Sequence, residues 1–505
     1  VEWVTVPGVL PCGRIRQKID TPASSRPISV SSERWEEHPM TGSQTIHGDT
    51  AAIVDPDFRQ LCDEIVAAMA RFGVPGVAVG VLRDGVEYAA GFGISNIEAP
   101  VAVDDHTLFQ IGSTTKTFTG TVAMRLVEAG KLDLDVPLRT YLPDLRLRDE
   151  DVAARVTLRH LFNHTGGWLG DYFDDTGDGD DALATIVARM AELPQFTPLG
   201  AYASYNNAGF YLAGRVIEAV TGQPYEAVVR ELLLEPLGMA ESFFFAADCI
   251  SRRVAVGHTV GDEGTAVARP WALARAAHAA GGLTSSVRDQ LRYARFHLGD
   301  GTTPDGTRLL KRETLEAMQE GRTDAGSAFG SFGITWMMKD LDGVKTVRHG
   351  GTTNGQLSAF VLVPERKFAL TVLTNANRGG QLHTAIVEWA LRHYCGIAET
   401  PLTPRALTAA ELAPYAGQYV AALTHLELTV QEDELVAQVI PQGGFPKRDS
   451  PAGPKPPPTR FALGADDAIV ALDPPFKDAR GEFLRDEQGE IAWVRFGGRM
   501  ARRQR

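Results

Sequence analysis

Cysteine is scarce, with Cys12, Cys62, Cys249 and Cys395 the 4 in 505 residues. They stand far apart and form no CxxC or Cys/His ligand pair, so neither a disulfide framework nor a structural zinc is indicated, and a reducing compartment is expected. Long apolar runs are also missing. None approaches the roughly 18 to 20 residues needed to cross a bilayer. The opening Val1-Glu2-Trp3-Val4-Thr5-Val6-Pro7-Gly8 lacks a basic region and is broken by Pro-Gly, which is not the pattern of a signal peptide. A cytoplasmic protein without a membrane span is expected. Positive charge is in deficit, with Lys+Arg 50 against Asp+Glu 63 and a net charge of -13. Such a surface repels phosphate backbones, which disfavours nucleic acid as a partner. The cluster Arg499, Arg502, Arg503 and Arg505 therefore reads as a solvated chain end. At 44% hydrophobic and 22% charged, the chain is globular rather than disordered or collagen-like. Its length allows about two to four domains, or one large enzyme domain with an appendage.

Residues 1 to about 50 show neither helical nor strand periodicity and are rich in Pro, Ser and charge; the apolar pattern begins near Ile53, where the fold is expected to start. Trp35-Glu36-Glu37 can be encoded TGG-GAG-GAG, a purine-rich ribosome-binding sequence, with Met40 at a suitable distance behind it. One reading of residues 1–39 is thus a translated leader with the true start at Met40; the other is an ordinary flexible extension.

An amphipathic helix is expected over Asp57 to Arg71, followed by a hairpin of Val77–Leu82 and Val86–Phe92 about an Asp84-Gly85 turn. The next helix starts at about Ser113, with Phe118, Val122, Leu126 and Val127 at three- and four-residue spacings and Gly130 as its stop. Residues 140 to 280 read as mainly helical, and strands return at Val344–His349, Gln356–Val363 and Phe368–Thr374. Strands, then helices, then strands predict an α+β domain whose antiparallel sheet is completed by both ends of the segment. From Pro401 the pattern changes to short alternating strands such as Leu426–Val430 and Ile491–Phe496, the signature of an all-β barrel or sandwich. The Pro-rich run Pro451 to Pro458 lies inside it as a stiff loop. The expected domains are an extension over 1–50, a catalytic domain over 51–400 and a β domain over 405–505.

Gly112-Ser113-Thr114-Thr115-Lys116 opens the second helix. Residues i and i+3 share a helical face, so the Lys116 amine can stand beside the Ser113 hydroxyl. Serine is a poor nucleophile without a base, and lysine is a base only when neutral, a state that burial and a positive field favour. The helix N-terminus adds backbone NH groups suited to an oxyanion. By itself the SxxK pattern is most often a capping serine followed by a surface lysine. Here Tyr205-Asn206-Asn207 and His349-Gly350-Gly351 follow in the order Ser/Lys, Tyr, His.

Together these motifs resemble the serine beta-lactamase and penicillin-binding-protein superfamily, in its class C-like branch, which includes family VIII carboxylesterases, D-aminopeptidases and penicillin-binding-protein-type thioesterases. The resemblance covers about residues 55 to 395. It extends to Gly130-Lys131-Leu132-Asp133-Leu134-Asp135 with Tyr141-Leu142-Pro143, to Thr157–Leu161 with His164-Thr165-Gly166-Gly167, to Pro236–Met239 and to Gly281–Ser286. It implies a beta-lactamase/transpeptidase-like fold in which Ser113 is acylated, Lys116 and Tyr205 share general-base and general-acid work, and Asn207 bonds substrate and Lys116. The backbone NH groups of Ser113 and Thr352 would form the oxyanion hole, with His349, Gly350 and Gly351 as auxiliary binding positions. No cofactor or metal is implied.

One departure bears on substrate. Many relatives have Lys-Thr-Gly where this chain has His349-Gly350-Gly351, and that lysine and threonine help to bind a carboxylate. A neutral imidazole and a glycine favour esters, amides or peptides lacking the carboxylate. Arg348 should point away from the His349 face by strand alternation, toward the surface. Gly166 stands where the family usually has serine, a difference that reads as a structural variation.

His160 and His164 have the i,i+4 spacing of a metal pair, yet no glutamate lies between them and they fall in a framework motif. The acidic loop Asp171 to Asp181 lacks EF-hand spacing and reads as a solvated lid that could bring Tyr172 or Phe173 to the substrate. Trp168 and Trp336 either line the pocket or fill the core. The C-terminal segment, with Tyr415-Ala416-Gly417-Gln418-Tyr419 and Trp493 to Arg499, resembles the lipocalin-like barrel of some family members, which implies that residues 405–505 gate substrate size. The expected activity is that of a serine hydrolase on carboxylic esters or D-amino-acid amides and peptides. A beta-lactamase or DD-peptidase, a penicillin-binding-protein-type thioesterase or peptide cyclase, and a non-catalytic penicillin sensor stand as alternatives. The expected partner is a small ester, amide or peptide, with no nucleic acid and no membrane.

Overall fold

The first helix, α1 (Pro56–Phe72), forms where the apolar pattern predicts it. Asp55 caps it by accepting from Phe58 N at 2.8 Å, Pro56 occupies its first turn and Gly73, at φ 71°, ends it. Its buried face, Phe58, Leu61, Cys62, Ile65 and Ala68, joins α4 (Gly379–Ala390) in a core laid against one side of a nine-stranded sheet. Each fully buried Phe, Leu or Ile there contributes about 1.5–3 kcal/mol through removal from water. The computed structural model describes residues 44–47, 53–271 and 273–504.

The sheet comprises β1 (Gln44–His47), β2 (Gly76–Arg83), β3 (Val86–Gly93), β4 (Thr323–Ala325), β5 (Gly330–Phe332), β6 (Met337–Leu341), β7 (Val344–Thr352), β8 (Leu357–Val363) and β9 (Phe368–Thr374). Their spatial order is β1-β3-β2-β9-β8-β7-β6-β5-β4. Both ends of the catalytic segment meet at the antiparallel β2–β9 pair, the predicted α+β closure. Two corrections apply. β1 lies in the stretch expected to be unpatterned and pairs in parallel with β3, Gln44 opposite Tyr88. Four residues carry no readable period, and their structure comes from the partner strand. Strands β4, β5 and β6 also escaped prediction because they are short and interrupted by Gly326, Gly330 and Gly333. The expectation for residues 1–39 and Met40 lies outside the described residues.

The other face of the sheet carries the helical half, with α2 (Thr115–Glu128) at its centre and α3 (Ala208–Thr221) against it. Helix α2 is buried on every side from Thr115 to Met124. Its hydroxyls are therefore turned onto carbonyls, Thr117 Oγ1 on Thr114 O at 2.8 Å and Thr119 Oγ1 on Ala279 O at 2.7 Å.

Beyond residue 408 a closed barrel of eight strands follows: β10 (Gly417–Val420), β11 (Thr424–Gln431), β12 (Glu434–Pro441), β13 (Thr459–Leu463), β14 (Ala468–Ala471), β15 (Arg480–Arg485), β16 (Ile491–Phe496) and β17 (Arg499–Arg503). The first and last strands pair, Tyr419 opposite Arg503, so neither is left as an edge. Inward residues such as Tyr419, Leu428, Phe461, Ile469 and Val494 form its own core. The barrel is joined to the catalytic half by buried polar contacts. Arg495, with 4% of its side chain exposed, donates to Ala203 O at 3.1 Å and to Asp324 Oδ2 at 2.7 Å, and it pairs with Glu482. Glu482 in turn accepts from Ser327 N at 2.8 Å. Among the described residues no helix is long and apolar enough to cross a membrane.

Candidate active site

The turn that carries Ser113 depends on two glycines. Gly112 takes φ +51°, and a Cβ placed on it would lie 2.6 Å from Thr352 N. A Cβ on Gly351 would lie 1.8 Å from Ile111 O and 2.7 Å from Ser113 N. Only glycine at both positions lets β7 press against the start of α2. The consequence is that the backbone nitrogens of Ser113 and Thr352 adjoin one another at the cleft, which both residues line. A hydroxyl chain underneath fixes the turn: Thr114 Oγ1 contacts Ser358 Oγ at 2.9 Å, and Ser358 Oγ donates to Ile111 O at 2.7 Å.

Ser113 is half-buried, and Lys116, three residues on, is wholly enclosed. Lys116 Nζ lies 3.1 Å from Ser113 Oγ, 2.6 Å from Asn207 Oδ1 and 2.6 Å from Ala280 O. Burial, and after it the Arg499 guanidinium, hold the Lys116 amine well below the usual lysine range, against the opposing pull of Asp171. Tyr205 stands just before α3, its ring 5.1 Å from Lys116 Nζ and 5.0 Å from the Arg499 guanidinium carbon. Burial raises its phenol pKa, while the Ser113 hydroxyl and Arg499 oppose the rise. The contact with Ser113 falls short of a regular hydrogen bond, for Tyr205 Oη is enclosed and has no partner in hydrogen-bonding geometry among the described residues.

The structure thus brings Ser113, Lys116, Tyr205 and Asn207 together. Gly350, Gly351 and Thr352 also line the cleft, whereas the His349 imidazole is buried behind it, its centroid 6.2 Å from that of Tyr205. Its Nδ1 lies 2.7 Å from Gly350 O, which can only accept, so Nδ1 carries the proton. Burial and the adjacent Lys116 lower its pKa to about 3, so the ring is neutral at physiological pH.

Arg348 does project from the opposite sheet face, but it is half-buried rather than on the surface. Its Nε donates to Thr346 Oγ1 at 2.8 Å in a trough between the sheet and the barrel's Arg480. The two histidines of the apparent metal spacing serve different partners. His160 Nδ1 accepts from Thr157 N at 3.2 Å, whereas His164, past the helix end at φ +60°, accepts from Asn206 N at 3.0 Å and stacks on Tyr205 at 4.4 Å. Trp168 and Trp336 both fill the core. Gly166 is explained by Trp168, whose ring occupies the space where a Cβ would sit, 2.5 Å away.

Two sequence readings are overturned. Asp171 is not part of a solvated loop; its side chain is 4% exposed and accepts from Asn207 Nδ2 at 2.8 Å. Arg499 is not at a solvated chain end; it pairs with Asp171 and lines the cleft, with 39% of its side chain exposed there. It arrives on the β16–β17 hairpin, whose Gly497-Gly498 turn has φ +58° and +76°. That two-residue turn is a sequence signal for a hairpin, but nothing in the sequence says what its tip touches. Gly498 O accepts from Tyr205 N at 2.9 Å, and a Cβ on Gly498 would lie 1.9 Å from the Phe329 ring.

The cleft holds about 470 Å³. Its walls are mostly apolar, with Phe173, Phe329 and Met337 from the catalytic half and Leu423 and Phe445 from the barrel. Phe173 and Phe445 meet edge to face at 5.0 Å.

Residues 61–391 match the family described as Beta-lactamase. The chain belongs to the beta-lactamase family. It is 35% identical over 358 residues to penicillin-binding protein 4 of Amycolatopsis lactamdurans, covering 68% of this chain and 93% of that protein. A beta-lactamase of Pseudomonas fluorescens is 28% identical over 350 residues, covering 64% and 94%. Among solved structures, SurE with D-Leu is 25% identical with a TM-score of 0.69, covering 89% of this chain and 99% of SurE. A class C beta lactamase from Rhodobacter sphaeroides, 23% identical with a TM-score of 0.54, covers 66% of this chain and 99% of its own. The larger share reached by SurE requires the barrel as well as the beta-lactamase-like domain.

Proposed function

We propose that this member of the beta-lactamase family is a serine hydrolase that works through an acyl-Ser113 intermediate on carboxylic esters or D-amino-acid amides and peptides. The observation that carries the reading is a fully enclosed Lys116 with its amine 3.1 Å from Ser113 Oγ and its pKa strongly depressed. A neutral Lys116 takes the Ser113 proton as Oγ attacks the substrate carbonyl. The oxyanion is held by the NH groups of Ser113 and Thr352. Tyr205 gives its phenol proton to the leaving group; in the second half the phenolate takes the proton of the attacking water, the Lys116 ammonium returns its proton to Ser113 Oγ as the acyl bond breaks, and both groups are restored.

Two observations favour this substrate range. The strand position at which Lys-Thr-Gly relatives place a cation carries a neutral, buried His349. Among the described residues lining the cleft, Arg499 is the only charged side chain, and Asp171 already engages it. Within the range, the likeness to SurE, solved with D-Leu, supports D-amino-acid derivatives. The test is a turnover panel of p-nitrophenyl esters, D- and L-amino-acid anilides and a chromogenic cephalosporin. Esters or D-anilides should be turned over faster than the cephalosporin. Ser113→Ala should lose turnover and fluorophosphonate labelling while keeping the wild-type melting temperature. Labelling that survives in Ser113→Ala would refute the nucleophile, and fast cephalosporin cleavage would refute the substrate range.

The barrel limits what enters. Phe445, on the loop between β12 and β13, closes the cleft against Phe173. Phe445→Ala should raise kcat/KM for long-chain p-nitrophenyl esters relative to acetate, since truncation opens space in an apolar wall. An unchanged chain-length ratio would count against the gate.

A further inference from the structure

Four side chains form one line from the barrel to the base. Arg499 on β17 donates to both carboxylate oxygens of Asp171, Asn207 Nδ2 donates to Asp171 Oδ1 at 2.8 Å, and Asn207 Oδ1 accepts from Lys116 Nζ at 2.6 Å. We infer that Arg499 is a positioning residue for Lys116: through Asp171 it sets which way the Asn207 amide faces, and so leaves the lysine lone pair directed at Ser113. The inference rests on the reading of Lys116 as the base.

The chemistry follows from donor and acceptor counts. A carboxylate only accepts, so Asp171 draws the NH₂ end of Asn207 and turns its carbonyl to Lys116. A neutral lysine amine has two hydrogens and one lone pair. Asn207 Oδ1 and Ala280 O, both pure acceptors at 2.6 Å, take the two hydrogens. The lone pair is left for the third neighbour, Ser113 Oγ. With the Asn207 amide reversed, its NH₂ group would donate to that lone pair, and the base would be occupied. Arg499 holds Asp171 in place, and its guanidinium is in turn placed by the Gly497-Gly498 turn, whose Gly498 carbonyl binds Tyr205 N. The barrel therefore supplies part of the catalytic arrangement as well as a wall. The groups facing Lys116 from the elements packed on it are Arg499 from β17, Asp171 from the loop before α3, Tyr205, and the neutral His164 and His349.

The experiment compares Arg499→Met, Arg499→Lys and Asp171→Asn in the full chain with an uncharged p-nitrophenyl ester, for which substrate-carboxylate binding plays no part, and with an anionic ester, for which it would. Circular dichroism and melting curves check folding; Asp171→Asn reaches the same line from the catalytic half if Arg499→Met is unstable. Arg499→Met and Asp171→Asn should each lower kcat by about tenfold or more at unchanged KM, a loss of positioning rather than of binding. In Arg499→Met the acidic limb of kcat/KM should move to higher pH, because a cation facing Lys116 is gone, and Arg499→Lys should recover part of both effects. Wild-type kcat and pH profile in folded Arg499→Met and Asp171→Asn would overturn the inference. So would an Arg499→Met defect confined to KM for anionic esters, which would make Arg499 a substrate contact. Ser113→Ala and Lys116→Ala, assayed alongside, separate the two failures: if Ser113→Ala still labels with a fluorophosphonate, or Lys116→Ala labels at the wild-type rate, it is the base and nucleophile reading that falls.

Discussion

Lys116→Met should lower the rate of Ser113 acylation by roughly 10²–10⁴-fold, the range over which a positioned general base contributes. The site is fully enclosed, so the unbranched apolar side chain fits the space that the lysine stem occupies. The same variant tests the protonation state through stability. The folded-state pKa of Lys116 lies below its unfolded value, ordinarily about 10.4. Between those two values unfolding takes up a proton, so wild-type stability increases as pH rises, by up to about tenfold in the folding constant per unit. The methionine variant lacks that slope from this position. Its melting temperature relative to wild type should therefore be most favourable near about pH 6 and should decline toward about pH 9. A difference that stays flat with pH would mean that Lys116 is charged in the folded enzyme, and the base would have to be found elsewhere.

Gly351→Ala should be the more damaging of two single-methyl changes on β7. The added Cβ falls 1.8 Å from Ile111 O and 2.7 Å from Ser113 N, both backbone atoms that cannot swing aside. The strand and the Ser113 turn must separate, which removes the juxtaposed NH groups and costs about 3 kcal/mol or more of stability, the scale of a core overpacking that rearranges backbone. Gly350→Ala meets only Ser358 O, at 3.2 Å on the other face of the strand, and should fold with a near-wild-type melting temperature. Differential scanning calorimetry and fluorophosphonate labelling of the pair decide the matter. Equal behaviour of the two alanine variants would show that β7 does not press on the Ser113 turn.

Much of this architecture is written in local pattern. The Asp55-capped helix, the Asp84-Gly85 hairpin, the returning strands β7 to β9 and the alternating strands of the barrel each follow from short-range period and turn chemistry. The i,i+3 placement of Lys116 on Ser113 is of the same kind, since one helical turn fixes it. Strands β1, β4, β5 and β6 were not legible because they are too short to show a period and exist through the neighbours they pair with. His164 and Asp171 look like a spare imidazole and one acid among many. Their roles depend on Asn206 and Asn207, some 40 residues away along the chain, and on Arg499, far beyond both.

The sequence by itself determined the family and the placement of Lys116 beside Ser113, because those depend on residue types held within one turn or in a fixed order. Only the tertiary structure decided which charges are buried. Arg499 stands in a run of arginines that would be solvated in any reading based on composition. Closure of the barrel and the docking of its last hairpin carry it against Asp171 and Tyr205. There the guanidinium stands close to the wholly enclosed Lys116 amine and helps burial to hold its pKa down against the pull of Asp171.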